Sequence, residues 1–160
     1  MVELPDFSDQ SRVWIYTANR KLSKAESINM NALLESFAQR WVSHNRALKA
    51  HGQIIGDLFV LLVVDETQAG ASGCSIDDSV GFIQQLEKDY NVDLLDKMNV
   101  SYKQGEFIAF NPLADFRKMA KYKAVSKKTI VFNNLVTNIA EYKENWEVPA
   151  SESWHSRFLK

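Results

Sequence analysis

The hydrophobic pattern of the chain is dominated by one uninterrupted apolar run, Leu58–Val64. Seven apolar residues in succession predict a β-strand covered on both faces, because a strand with one exposed face alternates apolar and polar residues. The run ends at Asp65 and Glu66, and a loop rich in small residues, 67–73, leads to a helical pattern that opens at Cys74. The sequence therefore predicts a buried central strand, a tight corner and a helix.

Apolar residues spaced three and four apart predict three helices. The first begins at a capping box formed by Ser23 and Glu26, in which each side chain bonds a free amide of the first turn. Its apolar stripe covers 30–41, and the stripes of the other two helices cover 76–90 and 113–119. These stripes indicate helices with one buried face.

Short segments rich in β-branched and aromatic residues predict the remaining strands. Gly56 and Gly105 favour the turns of two hairpins. The strands are predicted at 12–17, 53–55, 100–102, 107–110 and 129–132. The order strand, helix, hairpin, helix, hairpin predicts one α+β domain over 1–160, with a mainly antiparallel sheet in a split βαβ, or ferredoxin-like, arrangement.

The two ends of the chain are predicted to be additions to this core. Residues 1–10 are interpreted as an N-terminal arm and 133–160 as a C-terminal helical extension. A split βαβ sheet keeps both helices on one face, which conflicts with a strand that is apolar throughout. We therefore expect Trp146 and Trp154 of the extension to cover the second face, with a second subunit as the alternative.

Composition narrows the class of protein. The 160 residues are 46% hydrophobic with a net charge of -1, which excludes a disordered chain and gives no general attraction to nucleic acid. A helix that spans a membrane needs about 20 apolar residues, and the longest run is far shorter. The single cysteine excludes an internal disulfide, and the acidic start lacks the pattern of a secretion signal. We expect a cytoplasmic monomer or homodimer without a cofactor.

Four stretches of the chain are distinctive when taken together: 12–16, 73–80, 132–136 and 145–154. With them, nearly the whole chain resembles a family of small uncharacterised bacterial proteins that often carry the label "ABC transporter ATPase". The family has no established activity, so the resemblance implies no functional residue.

The residues do not support the activity that this label names. An ATPase of that class needs G-x-x-x-x-G-K-[ST], whose amides and lysine hold the phosphates. The nearest approach is the stretch 70–75, with two glycines three apart and no lysine, and the L-S-G-G-Q signature is also missing. ATPase activity is therefore not expected.

The corner after the central strand contains the candidate catalytic residues Asp65, Glu66, Cys74 and Asp77. A cysteine at a helix start gains thiolate character, and carboxylates at a strand end can bind Mg²⁺, for which Asp78 is a further weak candidate. The alternatives are a half-buried loop cysteine and carboxylates that cap the helix. We expect no metal site.

The same corner contains candidate ligand-binding residues, Gly70, Gly73 and Ser75. Free amides at a helix start can bind an anion such as phosphate. The neighbouring carboxylates would repel that anion, so a plain connecting turn is the alternative.

A basic segment, 117–128, surrounds Tyr122 and suggests weak nucleic-acid binding, although a solvated helix face gives the same pattern. No nucleophile–base pair, metal-ligand spacing or phosphate loop is present. The sequence therefore predicts a non-enzymatic binding or interaction module whose ligand and partner stay open. The alternatives are a small hydrolase or transferase with its site at 65–78 and a nucleic-acid binder acting through 117–128.

Overall fold

The computed structural model of the protein describes residues 4–67 and 70–159. In chain order the elements are β1 (Arg12–Thr17), α1 (Lys24–Arg40), β2 (Val42–Ser43), β3 (Arg46–Ala47), β4 (Lys49–Ile55), β5 (Phe59–Asp65), α2 (Gly73–Tyr90), β6 (Asn99–Gln104), β7 (Phe107–Pro112), α3 (Leu113–Lys121), β8 (Ile130–Phe132), α4 (Ile139–Asn145) and β9 (Glu147–Pro149), followed by the 3-10 helices Ala150–Glu152 and Trp154–Phe158. The predicted α+β class with antiparallel sheets is confirmed.

The central strand of the first sheet is β5. The sheet has the order β1-β5-β4, and both pairings are antiparallel. Every residue of β5 is buried, as the apolar run predicts. The hairpin that leads into it turns at Gly56 and Asp57, which both have positive φ angles. The predicted central position of the run at Leu58–Val64 is confirmed.

One face of this sheet is covered by α1 and α2. Side chains alternate between the faces, so Leu62 and Gly52, which are paired across β5 and β4, share one face. A Cβ atom at Gly52 would lie 3.2 Å from the Cβ of Leu34 in α1, so glycine allows the helix to pack closely on the sheet. Phe37 of α1 stacks on Phe82 of α2 at 4.5 Å between ring centroids, which joins the two helices above this face.

The other face is covered by the C-terminal part of the same chain. Phe59 of β5 contacts Phe132 and Trp146, with ring centroids at 5.0 and 5.1 Å. The expectation that Trp146 covers the second face is confirmed. Trp154 does not share this role, because it packs in a separate cluster around Phe116 and the second sheet.

The second sheet has the order β7-β6-β8-β9 and is antiparallel. The chain enters it directly after α2, so β6 pairs with β7 and β8 and not with β1. The C-terminal segment adds β9 to this sheet, besides α4 and the 3-10 helices. As a result β1 has a strand partner on one side, β5, and only an isolated bridge from Arg12 to Asn138 on the other.

The sequence does not predict a short hairpin that follows α1, but it does predict the helix cap at the start of α1. The hairpin of β2 and β3 turns at His44 and Asn45, which both have positive φ angles, and its short strands lack the alternation that would predict it. The capping box of Ser23 and Glu26 at the start of α1 is confirmed. None of the helices in the described ranges is long and apolar enough to cross a membrane.

Candidate functional site

The candidate Asp65 ends β5 as a buried carboxylate with partners of its own. Its Oδ1 accepts the Thr67 N–H at 2.9 Å, and its Oδ2 lies 3.7 Å from Nζ of Lys49 on the neighbouring strand. The Thr67 hydrogen bonds, and then the Lys49 charge, hold the pKa of Asp65 below its usual range. Asp65 is therefore an ionised residue that fixes the turn after β5.

The neighbouring Glu66 connects the corner to β1. Its Oε2 accepts the Ala71 N–H at 3.0 Å, and its Oε1 lies 3.4 Å from Nε of Arg12. A Cβ atom at Gly70 would lie 3.1 Å from Glu66 Oε2, so the glycine leaves space for the carboxylate. The loop residues 68 and 69 lie outside the described part of the chain.

The first turn of α2 is closed by two serines. Ser72 is the N-cap, its Oγ accepts the Ser75 N–H at 3.1 Å, and the Ser75 Oγ accepts the Ser72 N–H at 2.6 Å. The indole Nε1 of Trp41 donates to the Ser75 carbonyl at 2.8 Å. The candidate anion-binding residue Ser75 therefore uses its amide, hydroxyl and carbonyl inside the fold, whereas Gly73 is exposed. The cap is this serine pair and not the carboxylates of the first turns.

The remaining candidates of the corner face solvent. Cys74, Asp77 and Asp78 are all exposed. Among residues 4–67 and 70–159, no three His, Cys, Asp or Glu side chains gather as a group that could hold a metal ion. The imidazoles of His51 and His155 bond to Gln53 and Ser153, and neither has a hydrogen bond to Cys74 in the described region. Cys74 and the two aspartates thus face solvent, whereas Asp65 and Glu66 bond to the loop after β5.

The basic segment 117–128 forms an exposed surface on α3 and the loop after it. Tyr122 is 77% exposed, and the guanidinium of Arg117 lies 5.6 Å from the ring centroid of Phe158. The basic side chains of the segment all point to solvent, namely Arg117, Lys118, Lys121, Lys123, Lys127 and Lys128. The structure thus places the basic residues on one exposed segment, and nucleic-acid binding by this segment stays a prediction.

A cleft lies beside the corner, along β1, where the sequence does not predict a site. It has a volume of about 470 Å³, and all six residues of β1, Arg12–Thr17, line it. The other walls come from four separate parts of the chain. They include Ile76 and Val80 of α2, Leu94 and Leu95 after α2 with Val100 of β6, Phe132 of β8 with Val136 after it, and Trp154 and His155.

This cavity follows the unpaired edge of β1. The backbone of Val13 points away from β5, because its N–H donates to the Thr137 carbonyl at 3.0 Å, and alternate residues of a strand point the same way. Ile15 and Thr17 therefore direct their N–H and C=O groups to the same side. No described residue forms a backbone hydrogen bond to them there, and the next bond along this edge is from Asn19 N–H to Asp93 O at 3.1 Å.

Two titratable side chains in the wall, Tyr16 and His155, are neutral near pH 7. Burial raises the pKa of Tyr16 to about 12 and lowers the pKa of His155 to about 4. His155 is fully buried, bonded through Nδ1 to Ser153, and stacked on Trp154 at 3.9 Å between ring centroids. The His155 Nε2 and the Trp154 Nε1 have no hydrogen-bond partner in the described chain. The cavity wall is thus mostly apolar, and the two ring nitrogens without a partner lie buried behind its surface.

Charged side chains stand at the rim of the cavity. Arg12 lies over the ring of Trp14, 4.7 Å from its centroid, and pairs with Glu66, so it belongs to both the cavity and the corner. Asp96 and Lys97 are exposed and also line the cavity. Charge is therefore confined to the cavity rim.

The sequence contains one indirect signal for this cavity. In a split βαβ sheet the strand after the second helix lies beside the first strand, yet the residues directly after α2 include Asp93, Asp96 and Lys97, and the predicted strand begins only at 100. That contrast could have indicated an unfilled position beside β1. The wall residues themselves are ordinary apolar residues far apart in the chain, and nothing in their spacing marks them.

No protein-family model, curated protein or solved structure matches the chain. The geometry of the cavity and of the corner is therefore the basis for assigning a function.

Proposed function

We propose that the protein is a binding module whose ligand occupies the cavity beside β1. The observation that carries this proposal is the continuous lining by Arg12–Thr17, which combines apolar walls with unpaired backbone groups. Ligand pockets have volumes of about 300–1,000 Å³ and are mostly apolar with a few polar groups that orient the ligand. The cavity, at about 470 Å³, has that size and chemistry.

The contacts at the corner argue against a catalytic role for its buried and hydrogen-bonded residues. The polar atoms of Asp65, Glu66 and Ser75 form hydrogen bonds within the loop after β5 and within the first turn of α2. A catalytic group needs an available atom directed at a substrate. The alternative of a small hydrolase or transferase therefore relies on Cys74 and Asp77, which are exposed on α2 and lie outside the cavity wall.

We also propose a ferredoxin-like relation, membership of the small bacterial family and a cytoplasmic location. The order β1-β5-β4, with α1 and α2 on one face, supports a ferredoxin-like relation in which the fourth strand position is empty. A single exposed cysteine suits the reducing cytoplasm. The four sequence stretches support a relation to the small bacterial family described above, without an ATPase activity.

The proposal is tested with 1-anilinonaphthalene-8-sulfonate, an apolar fluorophore with an anionic group. We expect saturable binding of the dye by the folded protein. The variant Val80→Phe fills the cavity from α2 and should lower the dye affinity at least about tenfold, while near-UV circular dichroism shows retained packing. Val42→Phe is the matched control, because it adds the same bulk at a position that is 43% exposed and outside the cavity.

Two results would contradict the proposal. One is the absence of saturable dye binding to the folded protein. The other is binding that Val80→Phe and Val42→Phe change equally, since that would place the dye elsewhere on the surface.

A further inference from the structure

We propose that the ligand is an extended polypeptide segment that adds to β1 as a fourth strand of the first sheet. This inference rests on the proposed function and goes further, because it names the chemical class of the ligand. It depends on the backbone of β1 and on the walls of the cavity. It also depends on the two ends of the unpaired part of the β1 edge, which we call the open window.

The cavity meets β1 along its edge. A pocket over one face of a strand touches every second residue, because side chains alternate between the faces. Here six consecutive residues, Arg12–Thr17, line one cavity. The groups available along such an edge are backbone N–H and C=O groups, here those of Ile15 and Thr17. A strand of another polypeptide presents the complementary groups at the same spacing, about 7 Å for every second residue.

The chain itself already uses this edge in the same way. The Thr137 carbonyl accepts the Val13 N–H, and the Ile139 N–H donates to the Ser11 carbonyl, at 3.0 Å each. Arg12 and Asn138 form an antiparallel bridge between these two bonds. The edge is thus known to pair with extended chain, and the pairing stops where the open window begins.

The window is short and closed at both ends. The Val13–Thr137 bond limits it on one side, and the Asn19–Asp93 bond limits it on the other. The unpaired groups between them are the Val13 C=O and the N–H and C=O groups of Ile15 and Thr17, to which no described backbone group bonds on this side. Three residues of an extended peptide, which span about 10 Å, would therefore form the paired part of the ligand.

The walls flank the open edge of β1 on both sides of the sheet. Ile76 and Val80 of α2 stand on the side of the sheet face covered by the helices, and Phe132 and Val136 stand on the opposite side. The β1 edge of a second copy is enclosed by the same walls, so two copies cannot pair through it. A compact apolar molecule would fill the space but would leave the Ile15 N–H and C=O without partners, which is costly in an apolar site.

The test uses a pool of peptides of the form Ac-Xaa-Val-Xaa-Val-Xaa-NH₂, in which Xaa is Ser, Thr, Lys or Glu. Binding of these peptides to the full chain is measured by calorimetry. The tightest binders are then resynthesised with single N-methylated amides, which removes one donor at a time and leaves the side chains in place. We expect N-methylation at alternate positions to lower affinity about tenfold and at the intervening positions to change it by less than about twofold.

A protein variant provides the complementary test. The Ile15 N–H points away from β5, so Ile15→Pro keeps the hydrogen bonds between β1 and β5 and removes the donor that faces the peptide. Peptide affinity should fall about tenfold or more. Tyr16→Pro is the control for folding, because it breaks a bond to β5 and should destabilise the protein itself. If Ile15→Pro also fails to fold, the N-methyl series on the unmodified protein decides.

The outcomes separate the two levels of the proposal. Peptide binding with alternating N-methyl effects supports strand addition. Saturable dye binding together with no peptide binding, or with peptide binding that shows no alternation, overturns strand addition and leaves the binding module in place. Failure of both the dye and the peptides overturns both.

Discussion

The corner at 65–78 and the cavity beside β1 are neighbours that share Arg12, and they differ in how their polar groups are used. At the corner, Asp65, Glu66 and Ser75 all have partners within the fold. In the cavity the walls are mostly apolar, yet the backbone of Ile15 and the ring nitrogen of His155 have no partner among the described residues. A concentration of reactive residue types and the availability of polar groups are therefore separate properties.

The largest expected effect concerns the packing that holds the corner. Trp41→Ala should lower the free energy of unfolding by about 3–5 kcal/mol, because Trp41 is 2% exposed and donates to the Ser75 carbonyl. Trp154→Ala, in the cavity wall, should cost about 1–2 kcal/mol because its ring is only half-buried. Urea denaturation measures both. Equal losses would remove the contrast between a packed corner and an open cavity.

The pH dependence of stability tests the cavity wall. The pKa of His155 is about 4 in the fold and 6.5 when unperturbed, so between these values the unfolded chain binds a proton that the folded chain does not. Stability should therefore fall as pH falls through this window, by about 2 kcal/mol between pH 7 and pH 5. Glu26, whose pKa is lowered to about 2 chiefly by its Arg20 hydrogen bond, contributes stability that is lost only at lower pH, from about 4.5 downward.

The control for this prediction is His155→Gln, measured by urea denaturation at pH 7 and pH 5. The variant should be less stable at pH 7 and should lose most of the dependence between the two values. An unchanged slope would mean that another group titrates there.

A smaller effect is expected at the cap of α2. Ser72→Ala should lower the free energy of unfolding by about 1 kcal/mol, because the Ser75 N–H loses its acceptor. Dye binding in the cavity should be unchanged. Ser151→Ala, at an exposed serine outside the cavity and the corner, should stay within about 0.5 kcal/mol of the parent. A loss of dye affinity in Ser72→Ala alone would show that the corner belongs to the binding site.

The smallest effect is expected at the cysteine. Cys74→Ser should change stability by less than about 0.5 kcal/mol and leave dye binding intact, because the side chain is exposed. Titration with a charged alkylating reagent should give the rate of an ordinary free thiol. Faster reaction would favour the thiol-based enzyme alternative at the corner.

The sequence predicts the parts of the fold that local pattern decides. The apolar run at Leu58–Val64 can be buried on both faces only in the middle of a sheet, and the capping box of Ser23 and Glu26 is a local motif. At α2 the sequence predicts a helix that opens at Cys74 with carboxylates of the first turn as caps, whereas the helix begins at Gly73. The structure selects Ser72.

The parts that depend on long-range pairing could not be predicted. Whether β6 pairs with β1 or with β8 is decided by contacts such as Tyr102 opposite Val131, which no local pattern records. The cavity is a consequence of that choice, since it occupies the edge of β1 that β6 leaves free. Because the cavity lies where a strand is missing from the sheet, no sequence motif marks it.

The open edge of β1, which can accept a ligand, can be measured by amide hydrogen exchange along this strand in the free protein. The amides of Trp14 and Tyr16 point to β5 and should be protected, while those of Ile15 and Thr17 should exchange at least about tenfold faster. Uniform protection from Val13 to Thr17 would contradict the account, because it would mean that the edge is already paired.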